Sequence, residues 1–137
     1  PAGVDVVNGR YPINARYAGQ KYPLTESMAK KYPEGVSFSK RGYPNFDAYS
    51  RNFEDFPDGK VKIDPGRTRG ADFRQADALT GYSPKKRREE GLVWHHHEET
   101  NTMILIPRDI HKEVKHTGGY ALWGGGNNPN FETKPGR

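Results

Sequence analysis

One stretch of this 137-residue chain constrains its fold more than any other. Between Leu92 and Val114, nine of 23 residues are Leu, Ile, Val, Met or Trp. Over the whole chain, Leu, Ile, Val and Phe number only 23, about 17%. Burying apolar side chains drives folding, so the core has to form around this stretch. Leu92 to His97 reads as a strand, Glu98 to Asn101 as a polar turn, and Thr102 to Ile106 as a second strand. Pro107 opens a helix on which Ile110 and Val114 stand one turn apart. A strand, turn, strand, helix unit is the expected centre, in an α+β chain the size of one ordinary domain. So low an aliphatic share falls under the roughly 20% below which strongly charged chains stay unfolded. The net charge is only +5, however, and aromatics reach 12%. Tyr and Phe are therefore expected to fill places in a small core.

Residues 1–59 read as a loop-rich extension packed on that core. Tyr-Pro occurs four times, at Tyr11, Tyr22, Tyr32 and Tyr43, and each proline holds the preceding tyrosine extended and stops helices. These four units predict an arm whose rings pack onto the domain. One short helix is expected from Thr25 to Lys31, capped by Thr25. Residues 60–137 are expected to hold a basic segment, the strand–strand–helix core at 92–119 and a glycine-rich tail. Val61 and Ile63 alternate as a strand. A helix over 70–79 sets Phe73, Ala76 and Leu79 on one face, and Gly81 ends it. Ser83-Pro84 starts a second, basic helix that stops before Gly91. After His116 the chain turns glycine-rich, and residues 127–137 read as a tail.

Several functions are excluded at once. With no cysteine, disulfides, thiolate metal sites and cysteine nucleophiles are out, and any metal must sit on histidine and carboxylates. No apolar run approaches the roughly 18 residues of a transmembrane helix, so no membrane partner is expected, and residues 1–30 lack the apolar core of a secretory signal. The opening on Pro1 gives the expectation of a larger parent polypeptide. Charge is uneven: residues 60–88 carry nine cations against three carboxylates, while the remainder nets −1. A polyanion partner and a solvated basic face both satisfy that pattern.

All five histidines fall between positions 95 and 116. On a strand His95 and His97 face one way and His96 the other, and His111 sits on the following helix. If the hairpin meets that helix, three imidazoles can converge on an ion, and imidazole suits Zn or Ni better than Mg. His116 is five residues beyond His111, about 140° round a helix. Both can reach one ion only if the helix ends near Lys115 and Thr117-Gly118-Gly119 turns the chain inward. An open catalytic site, a closed structural zinc site and surface histidines without a role are the readings that the spacing leaves.

Trp94-His95-His96-His97, Met103 to Pro107, His111 and His116-Thr117-Gly118-Gly119 together resemble the HNH/endonuclease VII superfamily. The likeness is to the clade marked by Trp-His-His, found as C-terminal toxin domains of bacterial polymorphic toxins. A weaker likeness continues through Ala18-Gly19, Gly35-Val36-Ser37-Phe38, Gly42-Tyr43-Pro44-Asn45-Phe46 and Ala71-Asp72-Phe73-Arg74. The resemblance implies a ββα-metal (His-Me finger) core that hydrolyses phosphodiesters with one divalent ion, Zn, Ni, Mn or Mg. It implies His95, His111 and His116 as metal ligands, His96 as general base and His97 in support. The asparagine that orients the base in HNH motifs has only Asn101 as a nearby candidate, and the His111–His116 spacing is one longer than the family's usual pair.

Arg88 or its neighbour Arg87 is the expected second positive contact to the reacting phosphate. Lys85, Lys86, Arg87 and Arg88 form the expected nucleic-acid surface, and Trp94 is expected in the core. The implied function is a DNase toxin domain within a larger toxin polypeptide, secreted or delivered, acting in the target-cell cytoplasm and neutralised by a cognate immunity protein. An RNase of the same fold and a nucleic-acid-binding module with a structural zinc are the alternatives.

Overall fold

The computed structural model describes residues 3–125; the expected tail at 127–137 lies outside them. Its centre is an antiparallel sheet of β3 (Val61–Lys62), β5 (Thr102–Pro107) and β4 (Leu92–His96), with β5 in the middle. The central position explains why Met103 to Ile106 is apolar without alternation: both faces of a middle strand are covered. Ile104 and Ile106 pack with Ile110, Val114, Tyr32, Val36, Phe38 and Phe46 on one side. Met103 and Leu105 pack with Val61, Ile63, Ala76, Leu92, Trp94 and Trp123 on the other.

Helix ends fall where local chemistry sets them. Thr25 caps α1 (Glu26–Lys31) by accepting from Met28 N. Thr68 caps α2 (Arg69–Thr80), and Gly81, at φ 76°, closes it. Ser83 caps α3 (Pro84–Glu90), which starts on its proline and stops at Gly91, φ 68°. α4 (Arg108–Glu113) follows β5 directly and packs on the hairpin. A last turn, α5 (Tyr120–Trp123), was not expected within the glycine-rich run; Trp123, 1% exposed, anchors it in the second core cluster.

The inward face of α2 differs from the expected one. Leu79 is 45% exposed, whereas Asp72 and Asp77 are buried beside Ala76. Amphipathic reading sends carboxylates outward. Here each is fully hydrogen-bonded to a distant partner, which is what makes its burial tolerable.

The first 59 residues form two short strands, β1 (Ser37–Phe38) and β2 (Pro44–Asn45), with α1 and connecting turns. Tyr32 and Tyr43 are buried, and Tyr22 packs against the first cluster. Tyr11 departs from the pattern at 51% exposure. Tyr32 Oη donates to Asp109 and Tyr49 Oη to the Gly35 carbonyl, so the arm supplies polar ties as well as rings.

Candidate active site

Pairing across the hairpin sets His95 opposite Ile104 and His96 opposite Met103. Residues directly opposite share a face, so His95 looks toward α4 and His96 toward α2. β4 is an edge strand, and both histidines line one cleft of about 260 Å³ along its rim.

On the α4 side, His95, His111 and His116 converge, with one ring nitrogen from each within 4.8 Å of the others. His95 Nδ1 and His111 Nε2 are 3.2 Å apart. The awkward spacing of His116 resolves as the sequence required: α4 ends at Glu113 and the chain leaves it extended. Two bonds from the arm hold that exit, Ile13 N to Thr117 Oγ1 at 2.9 Å and Asn14 Nδ2 to the Lys115 carbonyl at 2.7 Å. His116 Nδ1–H donates to the Val114 carbonyl, which leaves Nε2 with its lone pair. Phe46, fully buried, touches all three imidazoles with ring centroids 5.0–5.6 Å away.

Burial, helped by His116 and His111, holds His95 well below the ordinary imidazole range. Burial, then His116 and His96, brings His111 down to about 4. His116 is lowered by burial against the opposing bond to Val114. Each is therefore neutral at pH 7, the form that coordinates a metal. Three neutral, oriented imidazoles without thiolates make a donor set that fits one divalent transition ion.

On the α2 side, His96 Nε2 lies 2.8 Å from Asp72 Oδ2. Asp72 is fully buried, and its other oxygen accepts from Gly66 N at 2.7 Å. With Nε2–H committed to Asp72, the neutral ring carries its lone pair on Nδ1. Among the described residues that atom has no protein partner, and it is not sealed from solvent. Tyr120 and Trp123 of α5 flank the same ring at 5.0 and 5.2 Å. Gly119 makes this possible by close approach rather than by an unusual φ. Its N–H donates to the His96 carbonyl at 2.9 Å, and a Cβ there would stand 1.8 Å from the His97 carbonyl oxygen.

His97 sits outside this cleft. Its Nδ1 accepts from Glu99 N, and its Nε2 donates to Asp47 at 2.7 Å, tying the arm to the end of β4. That hydrogen bond holds the Asp47 carboxyl below its usual range. Asn101, the candidate for orienting the base, instead occupies the hairpin turn at φ 58° and offers its carbonyl to Ile63 N. Asp72 is the residue that stands against His96. In the sequence Asp72 stands out only within the weaker likeness at Ala71–Arg74 and carries no role there, because its partner is 24 residues away and nothing local marks the pair.

The expected basic residues are placed elsewhere. Arg88 is exposed on α3 and is not among the residues lining the cleft. Arg87 is committed to the fold: both Nε and Nη2 reach Asp77 at 3.0 Å, and Trp94 Nε1 donates to the same carboxylate at 2.7 Å. Lys85 pairs with Glu89, and Lys86 lies over the Tyr82 ring. The arginine that does line the cleft is Arg69, at the start of α2, stacked on Tyr120 at 4.0 Å. The start of a helix gave no signal that its arginine would face a histidine cluster.

A hairpin whose edge strand carries one imidazole to each face, followed by a helix bearing another, is consistent with an HNH-type nuclease domain within an α+β fold. Residues 84–126 match the model of a family described as a nuclease of the HNH/ENDO VII superfamily with conserved WHH. No curated protein matches the chain.

Proposed function

We propose that this chain is a metal-dependent endonuclease that hydrolyses DNA phosphodiester bonds. One observation carries the reading: three histidines converge as a donor set, while the adjacent fourth, held by a buried carboxylate, opens on the same cleft. A purely structural zinc site has no use for that fourth group.

His95, His111 and His116 would hold the ion. When bound, it supplies Lewis-acid polarisation of a phosphate oxygen and offsets charge at the departing oxygen. His96 Nδ1 takes a proton from water, whose oxygen forms the new bond to phosphorus as the bond to the leaving oxygen breaks. The imidazolium so formed is stabilised by Asp72. The leaving oxygen is protonated from solvent, giving one phosphomonoester and one alcohol. Arg69 is placed to donate to a non-bridging phosphate oxygen.

The wider role follows from the resemblance to C-terminal toxin domains. The domain is delivered as part of a larger antibacterial toxin, acts in the target-cell cytoplasm, and is neutralised by an immunity protein whose acidic surface complements a net charge of +5. Among the described residues no helix is long and apolar enough to cross a membrane.

The test is incubation of plasmid and total RNA with the purified protein after chelation, then with Mg, Mn, Ni or Zn restored, beside His96→Ala. Plasmid cleavage that returns with metal is expected, reduced about 10²–10⁴-fold in His96→Ala while the ion is retained. RNA cleavage alone would replace the substrate. Absence of cleavage with a tightly held ion would replace the enzyme with a structural zinc module.

A further inference from the structure

The cleft at the histidines is one end of a longer depression. It shares His111 and His116 with a second hollow of about 360 Å³ that Lys112 and Lys115 also border. That hollow shares Arg108 and Lys112 with the largest one, about 620 Å³, which reaches Arg51 and Tyr32. The three hollows follow one another along α4, each sharing lining residues with the next, and together they outline a trough with the metal-capable histidines at one end.

The carboxylates of α4 are bonded to the arm: Asp109 accepts from Lys31, Tyr32 and Ile110 N, and Glu113 accepts from Thr25 N. Asp109 also lines the 620 Å³ hollow, beside Arg108, Lys112 and Glu90. Arg108, Lys112 and Lys115 are exposed, and among the described residues their side chains have no ion-pair or hydrogen-bond partner. Arg108 and Lys112 stand one helical turn apart, about 6 Å along the axis, which is about two nucleotide steps of one strand at roughly 3.4 Å each. On α3, by contrast, Arg87 is bound to Asp77, Lys85 to Glu89 and Lys86 to a tyrosine ring, which leaves only Arg88 of its cations exposed without a bonded partner among the described residues.

We propose that the sugar-phosphate backbone flanking the cleaved bond lies in the trough along α4, held by Arg108, Lys112 and Lys115, and that the basic run on α3 is not its footprint. This rests on the nuclease reading and names the surface that reading requires. The exposed cations are positioned for phosphate because among the described residues no acid is bonded to them: Asp109 is engaged by Lys31 and Tyr32, and Glu90 by Tyr82 and Arg51. A backbone laid there passes directly over His111 and His116 into the cleft that holds His96 and Arg69.

The test is binding of the metal-chelated protein, which cannot turn over, to a short fluorescent DNA duplex across a salt series. Neutralising a phosphate contact lowers the slope of log affinity against log salt by about 0.9. Arg108→Gln/Lys112→Gln/Lys115→Gln is expected to lower it by about 2 to 3. Lys85→Gln/Lys86→Gln/Arg88→Gln is expected to change it by less than about 1. Lys112→Gln alone, expected to lower it by about 1, keeps the test intact if the triple variant does not fold. An unchanged slope in folded α4 variants overturns the proposal while leaving the nuclease reading standing. A wild-type protein that binds no duplex at any salt overturns both.

Discussion

In the proposed mechanism Asp72 acts through His96. Its carboxylate accepts from His96 Nε2, which turns Nδ1 to the cleft, and it would stabilise the charge that the ring acquires as a base. Asp72→Asn preserves the volume and can still accept from Nε2–H, but it removes the charge and the second acceptor that takes Gly66 N–H. Its expected outcome is a kcat lower by about 10²–10⁴-fold, with KM and metal affinity close to wild type. Steady-state kinetics beside a calorimetric metal titration checks this, and a change confined to KM would show Asp72 to be merely structural. The histidines themselves were legible from sequence: residue type, alternation along a strand and the helix that follows are local facts. Asp72 and Arg69 were not. Each enters the site through the packing of α2 on the sheet, and a carboxylate in a helical pattern is read as solvent-facing until its partner is known.

At the scale of elements, what could be read locally was read correctly. Thr25 and Ser83 as caps, Pro84 at the start of α3, Gly81 and Gly91 at helix ends, and the β4–β5 hairpin all depend on neighbours within a few residues. The inward face of α2 and the existence of α5 depend on distant side chains, and there local patterning failed. The short edge strand β3 adds a test through Glu99 in the hairpin turn. Glu99 is bound by Lys62 and lies 3.6 Å from Lys60, joining the turn to β3. The Lys62 hydrogen bond, above all, pulls its carboxyl from 4.5 down to about 2. A depressed folded value means the stabilising contribution is complete above about pH 4.5 and is lost as pH falls toward 2. Glu99→Gln is therefore expected to lower the thermal midpoint modestly at pH 7, since the pair is partly exposed and screened. The gap from wild type should close as pH drops through that window. A gap independent of pH would mean that Glu99 acts through shape alone.

For the whole molecule, the arm belongs to the site as much as to the core. Phe46 forms the floor under all three donor imidazoles, and His97 is tethered to Asp47 beside it. Phe46→Ala is expected to cost about 3–5 kcal/mol in denaturant unfolding and to weaken metal binding in the same preparation, because the rings lose the surface that orients them. Stability lost with metal affinity untouched would confine Phe46 to packing. The arm's close fit to the core was foreseeable from its tyrosines, but its reach to His116 was not. That contact joins Ile13 to Thr117 and Asn14 to Lys115, positions 104 and 101 apart in the chain.

That clasp has a consequence for how the molecule comes to be armed. A chain still emerging from the ribosome can shape the hairpin and α4, and with them two of the three donors, while the third waits for the two ends of the described fold to meet. Cutting power would then arrive as the final event of folding rather than growing with it. The same topology splits the site between two stretches of chain: residues 60–117 carry all three imidazoles, while Ile13 and Asn14 hold the segment that bears the third.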